Sequence, residues 1–127
     1  MGGSRGVLLV FTVLAACGKP PSAIEACHKL ESAGVAANCR PDKPKGLGAD
    51  ASESAAFDLP SVPGHGGAVF RFETDEAYDS TVKSFDEAKV LAGPHRYGNR
   101  TRHIFTQFND GASMEVGAKA KAAIAAL

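Results

Sequence analysis

The first 17 residues constrain what this chain becomes more strongly than any later segment. Arg5 places a positive charge near the start, and residues 7–14 (VLLVFTVL) form an almost wholly apolar run. A helix that crosses a bilayer needs about 20 apolar residues, so this run is too short to span one. A charged start, a short apolar run and small residues at its end are typical of a cleaved secretory signal. We therefore expect residues 1–16 to be a signal peptide.

Four residues at the end of the signal resemble the lipobox of bacterial lipoproteins: Leu14, Ala15, Ala16 and Cys17. The resemblance covers residues 1–17 and identifies no family for the rest of the chain. It implies that the chain is cleaved before Cys17 and that this cysteine carries acyl chains such as palmitate. Two or three acyl chains anchor a protein durably, whereas one chain binds only weakly. A plain secretory signal followed by an incidental cysteine is the alternative.

The residues after Cys17 bear on the location of the protein. By the same resemblance, a glycine rather than an aspartate at position 18 favours the outer membrane, with the protein facing the periplasm. The cell surface and a single membrane stay open as other locations. Residues 17–22 then form a lipidated tether, in which residues 18–21 reach at most about 14 Å. We therefore expect the folded part of this envelope protein to lie close to the membrane. The membrane is its first expected partner, which it contacts through the N-terminal lipid.

Length and charge limit the classes of protein to consider. Roughly 110 residues remain after the signal, which is enough for one domain with a modest core. The full chain carries 14 basic and 14 acidic residues. General nucleic-acid-binding proteins usually have a basic excess. We therefore expect no nucleic-acid partner.

Two cysteines, Cys27 and Cys39, remain once Cys17 is lipidated. An even number of cysteines in an exported protein implies a disulfide. The bond would close a loop of about 13 residues, worth roughly 3 kcal/mol in the chain-entropy account. Zinc is the weaker alternative, because His28 adjoins Cys27 but the sequence shows no fourth ligand at a usual spacing. No metal or cofactor is therefore expected.

The first half of the exported chain has the pattern of one helix followed by a long loop. Ser22 and Glu25 have the spacing of a capping box, which predicts that a helix begins between them. The disulfide makes residues 23–40 a stapled helical segment. Residues 41–67 are rich in proline, glycine and small polar residues. They are expected to form a flexible loop with at most a short edge strand at 55–59.

Residues 68–127 are expected to hold an α+β core. Alternation over residues 68–73 predicts a strand, and a long helix follows it. Gly98-Asn99 has the composition of a two-residue hairpin turn, and the Ala-rich tail has an amphipathic helical pattern. The predicted fold class is α+β, with a small, mostly antiparallel sheet of three to four strands. Two helices pack on this sheet, and the disulfide-stapled N-terminal helix is additional.

A basic cluster surrounds the predicted turn, and we call it the hairpin tip: His95, Arg96, Tyr97, Arg100, Arg102 and His103. A turn at Gly98-Asn99 would place Tyr97 opposite Arg100, and likewise His95 opposite Arg102. One interpretation is contact with an anionic partner: lipid headgroups, envelope polysaccharide or an acidic envelope protein. The other is pairing with carboxylates of the preceding helix, the candidates being Asp75, Glu76, Asp79, Asp86 and Glu87.

No residue pattern in the chain indicates catalysis. A nucleophile, a base and a group that orients the base are not found in any recognisable arrangement, so no catalytic residue is predicted. The favoured function is therefore a non-enzymatic binding or accessory module of the cell envelope. The alternatives are a small envelope hydrolase that uses His95 or His103, and a structural protein that holds an assembly together through its C-terminal helix.

Overall fold

The computed structural model describes residues 18–127, which fold around one antiparallel sheet. Its strands are β1 (Ala37–Asp42), β2 (Glu53–Asp58), β3 (Gly66–Arg71), β4 (Arg96–Asn99) and β5 (Ile104–Phe108). The helices are α1 (Ala23–Ser32), α2 (Asp75–Glu87), the one-turn α3 (Lys89–Ala92) and α4 (Met114–Ala125). Short 3₁₀ turns lie at Gly46–Gly48 and Arg100–Arg102. The lipobox prediction concerns residues outside the described range.

The five strands lie in the order β1-β2-β3-β5-β4. The predicted α+β class is therefore confirmed, whereas the predicted number of three to four strands is wrong. Helices cover both faces of the sheet and create two apolar clusters. On one face, Val69 packs in a cluster with Leu30 of α1 and Ile124 of α4. On the other face, the rings of Phe70 and Phe105 pack beneath α2.

Helix α1 begins and is stapled as the sequence predicts. Oγ of Ser22 accepts a hydrogen bond from the Glu25 N–H (3.1 Å), and a carboxylate oxygen of Glu25 accepts one from the Ser22 N–H (2.9 Å). These bonds form the capping box. The disulfide between Cys27 and Cys39 is present, with Cα atoms 6.0 Å apart. It ties α1 to the edge strand β1, so the predicted pairing is confirmed.

Segment 41–67, predicted as a flexible loop, contains β2 and the beginning of β3. Ala55 pairs with Val69, and β2 lies between β1 and β3 instead of at an edge. The expectation of no more than an edge strand in this segment is therefore wrong. Ser54 and Ala55 are both buried although they point to opposite faces. A strand covered on both sides lacks the alternation of apolar and polar residues by which half-exposed strands are recognised.

The hairpin between β4 and β5 turns at residues 100–103, so the turn predicted at Gly98-Asn99 is wrong. Both of those residues belong to β4. A Cβ atom at Gly98 would lie 2.0 Å from the hydroxyl of Tyr78, so this glycine permits close packing of α2 on the sheet. The Asn99 side chain caps the following 3₁₀ turn, because its Oδ1 accepts a hydrogen bond from the Arg102 N–H (3.2 Å).

Helix α4 corresponds to the predicted amphipathic tail. Ser113 caps its first turn by accepting a hydrogen bond from the Val116 N–H (3.1 Å), and Ile124 is fully buried. A Cβ atom at Gly117 would lie 2.3 Å from the hydroxyl of Tyr97, so α4 approaches β4 as closely as α2 does from the other side. The strand that carries much of the hairpin tip is therefore held between two helices.

Replacing Cys27 and Cys39 together with alanine should lower the free energy of unfolding by about 2–5 kcal/mol. The bond restricts the unfolded chain and joins α1 to β1, so its loss favours unfolding. Urea unfolding of the exported protein and of the double variant, both in a metal chelator, measures the change. A phosphine reductant should reproduce the loss in the wild type and leave the double variant unaffected. A loss below about 0.5 kcal/mol, the range of ordinary surface substitutions, would contradict the prediction.

Candidate functional site

The residues of the predicted hairpin tip do not form one basic surface. Tyr97 lies opposite Thr106 in the register of β4 and β5. The predicted pairings of Tyr97 with Arg100, and of His95 with Arg102, are therefore wrong. These pairings are wrong because the turn lies at residues 100–103, after Gly98-Asn99, and this shifts the register of β4 and β5. The tip is divided among the two faces of the sheet and the 3₁₀ turn at its end.

Three basic residues of the tip contact carboxylates of α2: Arg96 contacts Asp86, Arg100 contacts Asp79, and His103 contacts Asp75. The contact of Arg100 with Asp79 is bidentate, with nitrogen–oxygen distances of 2.8 and 2.9 Å. These hydrogen bonds hold the pKa of Asp79 below its usual value and raise that of Arg100. For these three residues, the structure therefore supports the interpretation in which they pair with carboxylates of the preceding helix.

Arg102 points away from α2 and holds the start of the described chain. Its Nη1 donates to the carbonyl oxygen of Gly18 (3.3 Å), and its Nη2 donates to that of Lys19 (2.9 Å). The residues that follow Cys17 in the sequence are thus attached to the turn between β4 and β5. The residue pattern predicts that Arg102 contacts an external partner and gives no sign of this internal contact.

A groove lies beside this attachment, and we call it the tether groove. Its volume is about 340 Å³, and its lining includes Lys19, Pro21, Glu25, Lys29 and Arg102. Three of these side chains are basic and one is acidic. Lys19 and Lys29 are not among the residues predicted to contact a partner, although a basic residue two positions after Cys17 is a signal visible in the sequence. The groove is therefore a basic surface next to the expected site of the lipid.

A second groove, of about 280 Å³, lies on the opposite face of the sheet, and we call it the sheet-face groove. Helix α2 covers this face only in part. Ala68 and Phe70 contribute an apolar floor, and Lys43, Lys45 and Asn109 line it as well. The volume is near the lower end of the range for small-molecule sites. The two lysines lie in the segment predicted as a loop, and no groove is predicted there. The sheet face that brings these residues together is assembled from four strands that are distant in sequence.

The two histidines of the hydrolase alternative have structural partners. Nδ1 of His95 lies 2.8 Å from the hydroxyl of Tyr97, and its Nε2 lies 2.8 Å from the carbonyl oxygen of Ala112. Nε2 of His103 lies 2.7 Å from a carboxylate oxygen of Asp75. Within residues 18–127, neither histidine forms a hydrogen bond with a serine, threonine or cysteine side chain. The contacts of both histidines in this part of the chain therefore hold tertiary structure together and activate no serine, threonine or cysteine nucleophile.

Comparison with protein-family models, with curated protein sequences and with solved structures finds no match. In the part of the chain that the structure describes, no helix has both the length and the apolar character needed to cross a membrane.

Replacing Arg100 with glutamine should raise the pKa of Asp79 toward the ordinary value of about 3.9. The guanidinium hydrogen bonds that favour the ionised carboxylate would be lost. In the wild type, the lowered pKa contributes stability that is present above the unfolded-state pKa and is lost as the pH falls through the folded-state pKa. NMR titration of the Asp79 carboxyl carbon measures the shift.

The control is Arg40→Gln, which removes an arginine that contacts Asp58 on another part of the sheet. This variant should leave the titration of Asp79 unchanged. Denaturation at neutral and at acidic pH gives a second measurement, since the destabilisation caused by Arg100→Gln should disappear once Asp79 is protonated. An Asp79 titration curve identical in the wild type and in Arg100→Gln would refute the pairing.

Proposed function

We propose that this chain is a lipid-anchored protein of the bacterial cell envelope and that its folded part is a non-enzymatic binding or accessory module. One structural observation supports the proposal beyond the lipobox itself: Arg102 holds the carbonyl groups of Gly18 and Lys19. Gly18 directly follows Cys17, and consecutive Cα atoms lie about 3.8 Å apart. A lipid on Cys17 would therefore bring the turn between β4 and β5 to the bilayer surface.

The charge of the tether groove supports this orientation. Lys19, Lys29 and Arg102 line the groove, and its one acidic residue, Glu25, is engaged by the backbone of Ser22. A basic residue near an anionic membrane surface gains about 1 kcal/mol of attraction. This attraction adds to the insertion of the acyl chains and favours one orientation of the module. In this proposal, the anionic partner considered for the hairpin tip is a set of lipid headgroups, which contact the tether groove.

The sheet-face groove is the proposed binding surface of the module. Successive side chains along a strand point to opposite faces of the sheet. Ala68 and Phe70 line the groove, whereas Val69 between them packs with α1 and α4. The groove therefore lies on the side of the sheet away from α1 and α4. It combines an apolar floor with lysine, carboxylate and amide side chains, and Asp42 in its lining pairs with Lys45 (3.5 Å). Apolar surface with a few polar groups is the composition of surfaces that hold a ligand or a partner segment. In this proposal the module faces the periplasm from the outer membrane and contacts another envelope component.

Replacing Cys17 with serine should abolish lipidation, because serine lacks the sulfur that accepts the diacylglyceryl group. The variant should accumulate as an unprocessed precursor or appear in the soluble fraction. Growth of the bacterial host with a fatty-acid analogue, followed by detection of the label on the protein, measures the effect. Cys27→Ser, which leaves the lipobox intact, is the control and should keep its label. Equal labelling of the wild type and of Cys17→Ser would contradict the proposal.

Replacing Lys19 and Lys29 together with glutamine should weaken binding of the non-lipidated mature chain to anionic vesicles about 10- to 30-fold at low salt, since two attractions of about 1 kcal/mol are lost. Lys43 and Lys45 on the opposite sheet face form the matched control, because their replacement removes the same charge. The control should change binding less than about threefold. Binding of the wild type should also fall as salt rises. Equal weakening by both pairs would show that attraction depends on total charge and not on the tether groove.

A further inference from the structure

A cluster of side chains that can ligate metal lies where the end of α1 meets β1. The ligand atoms of His28, Glu31 and Cys39 all lie within 4.8 Å of one another. Nδ1 of His28 is 2.6 Å from one carboxylate oxygen of Glu31, and the Cys39 N–H donates to the other (3.3 Å). Cys27 is bonded to Cys39 through the disulfide. The Cys39 sulfur thus lies within 4.8 Å of an imidazole nitrogen and a carboxylate oxygen, and the Cys27 sulfur is bonded to it.

The structure supplies the fourth ligand that the sequence pattern lacked. Glu31 lies one helical turn after both Cys27 and His28, so its side chain neighbours the buried Cys27 on one side and the exposed His28 on the other. Cys39 reaches the same place from β1, which pairs with the neighbouring strand and is tied to the helix. Two cysteines, one histidine and one carboxylate are a set of ligands that suits Zn²⁺ in tetrahedral coordination.

We propose that the reduced form of this protein binds one Zn²⁺ through the thiolates of Cys27 and Cys39, Nδ1 of His28 and a carboxylate oxygen of Glu31, and that the disulfide and the zinc site exclude each other. A dithiol reductant transfers two electrons to the sulfur–sulfur bond and becomes a disulfide itself. The two cysteine sulfurs then carry protons, which are released when Zn²⁺ binds the thiolates. In the reverse step, a disulfide oxidant accepts two electrons from the thiolates and becomes a dithiol, the bond between the two cysteine sulfurs re-forms, and the loss of two ligands releases the ion.

The geometry of the backbone suits both states. Two sulfurs bound to one tetrahedral zinc lie about 3.8 Å apart, since each zinc–sulfur bond is about 2.3 Å long. The Cα atoms of the two cysteines are 6.0 Å apart, so rotation of the side chains can separate the sulfurs while the backbone stays in place. Cys39 is partly exposed, whereas Cys27 is fully buried, so a reductant approaches from the side of Cys39.

The site also has a structural consequence. Reduction removes the covalent link between α1 and β1, and a zinc ion held by ligands from both elements would restore a link at the same place. Because the ion binds the folded arrangement, its binding free energy adds to the stability of the reduced protein. Only His28 and Glu31 remain as ligands in the oxidised protein, which is too few for a structural zinc site.

Zinc titration of the exported protein, with and without a phosphine reductant and in competition with a coloured chelator, tests this proposal. We expect the reduced protein to bind one Zn²⁺ at least about 100-fold more tightly than the oxidised protein. His28→Ala and Glu31→Gln should each weaken zinc binding to the reduced protein by about tenfold or more. His65→Ala and Glu115→Gln, an exposed histidine and an exposed carboxylate elsewhere, are the matched controls and should leave the affinity within about twofold.

Two further measurements separate a folded site from cysteines in an unfolded chain. Circular dichroism should show that the zinc-bound reduced protein keeps its secondary structure. Co²⁺ in place of Zn²⁺ should give the visible absorption of a tetrahedral ion with two thiolates, and His28→Ala should change this spectrum. The proposal is overturned if reduced protein binds no Zn²⁺ in competition with the chelator. It is equally overturned if oxidised protein binds as tightly, or if the His28 and Glu31 variants bind as tightly as the wild type.

Discussion

The burial of β3 and β5 on both faces is the constraint on which the rest of the structure depends. Val69 and Thr106 lie on one face, Phe70 and Phe105 lie on the other, and all four are buried. Full burial of a large apolar side chain contributes about 1.5–3 kcal/mol, so both helical layers are needed to keep these strands out of water. The hydroxyl of Thr106 is the polar exception, and it donates to the carbonyl oxygen of Ala68 (2.8 Å). The positions of α1, α2 and α4 follow from this requirement.

The placement of α2 decides how the basic residues of the hairpin are used. Its N-terminal half carries Asp75 and Asp79, which contact His103 and Arg100. Arg102 lies on the far side of the same turn and holds the tether in place of a helix carboxylate. The basic residues, which are close together in the sequence, thus form surface ion pairs with α2 on one side of the turn and hold the tether on the other. Exposed ion pairs contribute little to the free energy of unfolding, so their main effect is on the position of these side chains.

The junction of α1 with β1 concentrates the constraints on the N-terminal part of the chain. The disulfide and the hydrogen bond from the Cys39 N–H to Glu31 both join the end of the helix to the edge strand. Ala23, at the beginning of the same helix, donates its N–H to a carboxylate oxygen of Glu53 in β2 (3.0 Å). The tether enters next to this end of α1, so the segment that leads to Cys17 leaves from a helix that is fastened at both ends.

The sequence by itself determined the features that depend on near neighbours or on counting: the capping box at Ser22, the strand near residues 68–73, the closing helix and the pairing of two cysteines. The first three depend on residues that are close together in the sequence. The cysteine pairing follows because only Cys27 and Cys39 remain once Cys17 is assigned to the lipid. Tertiary structure decided the rest. Strand β2 is buried on both faces, so its alternation disappears. Gly98 is required by the close approach of the Tyr78 hydroxyl and not by a turn. The contacts of the arginines and the grouping of His28 with Glu31 and Cys39 arise because elements distant in sequence pack together, and no local pattern records such packing.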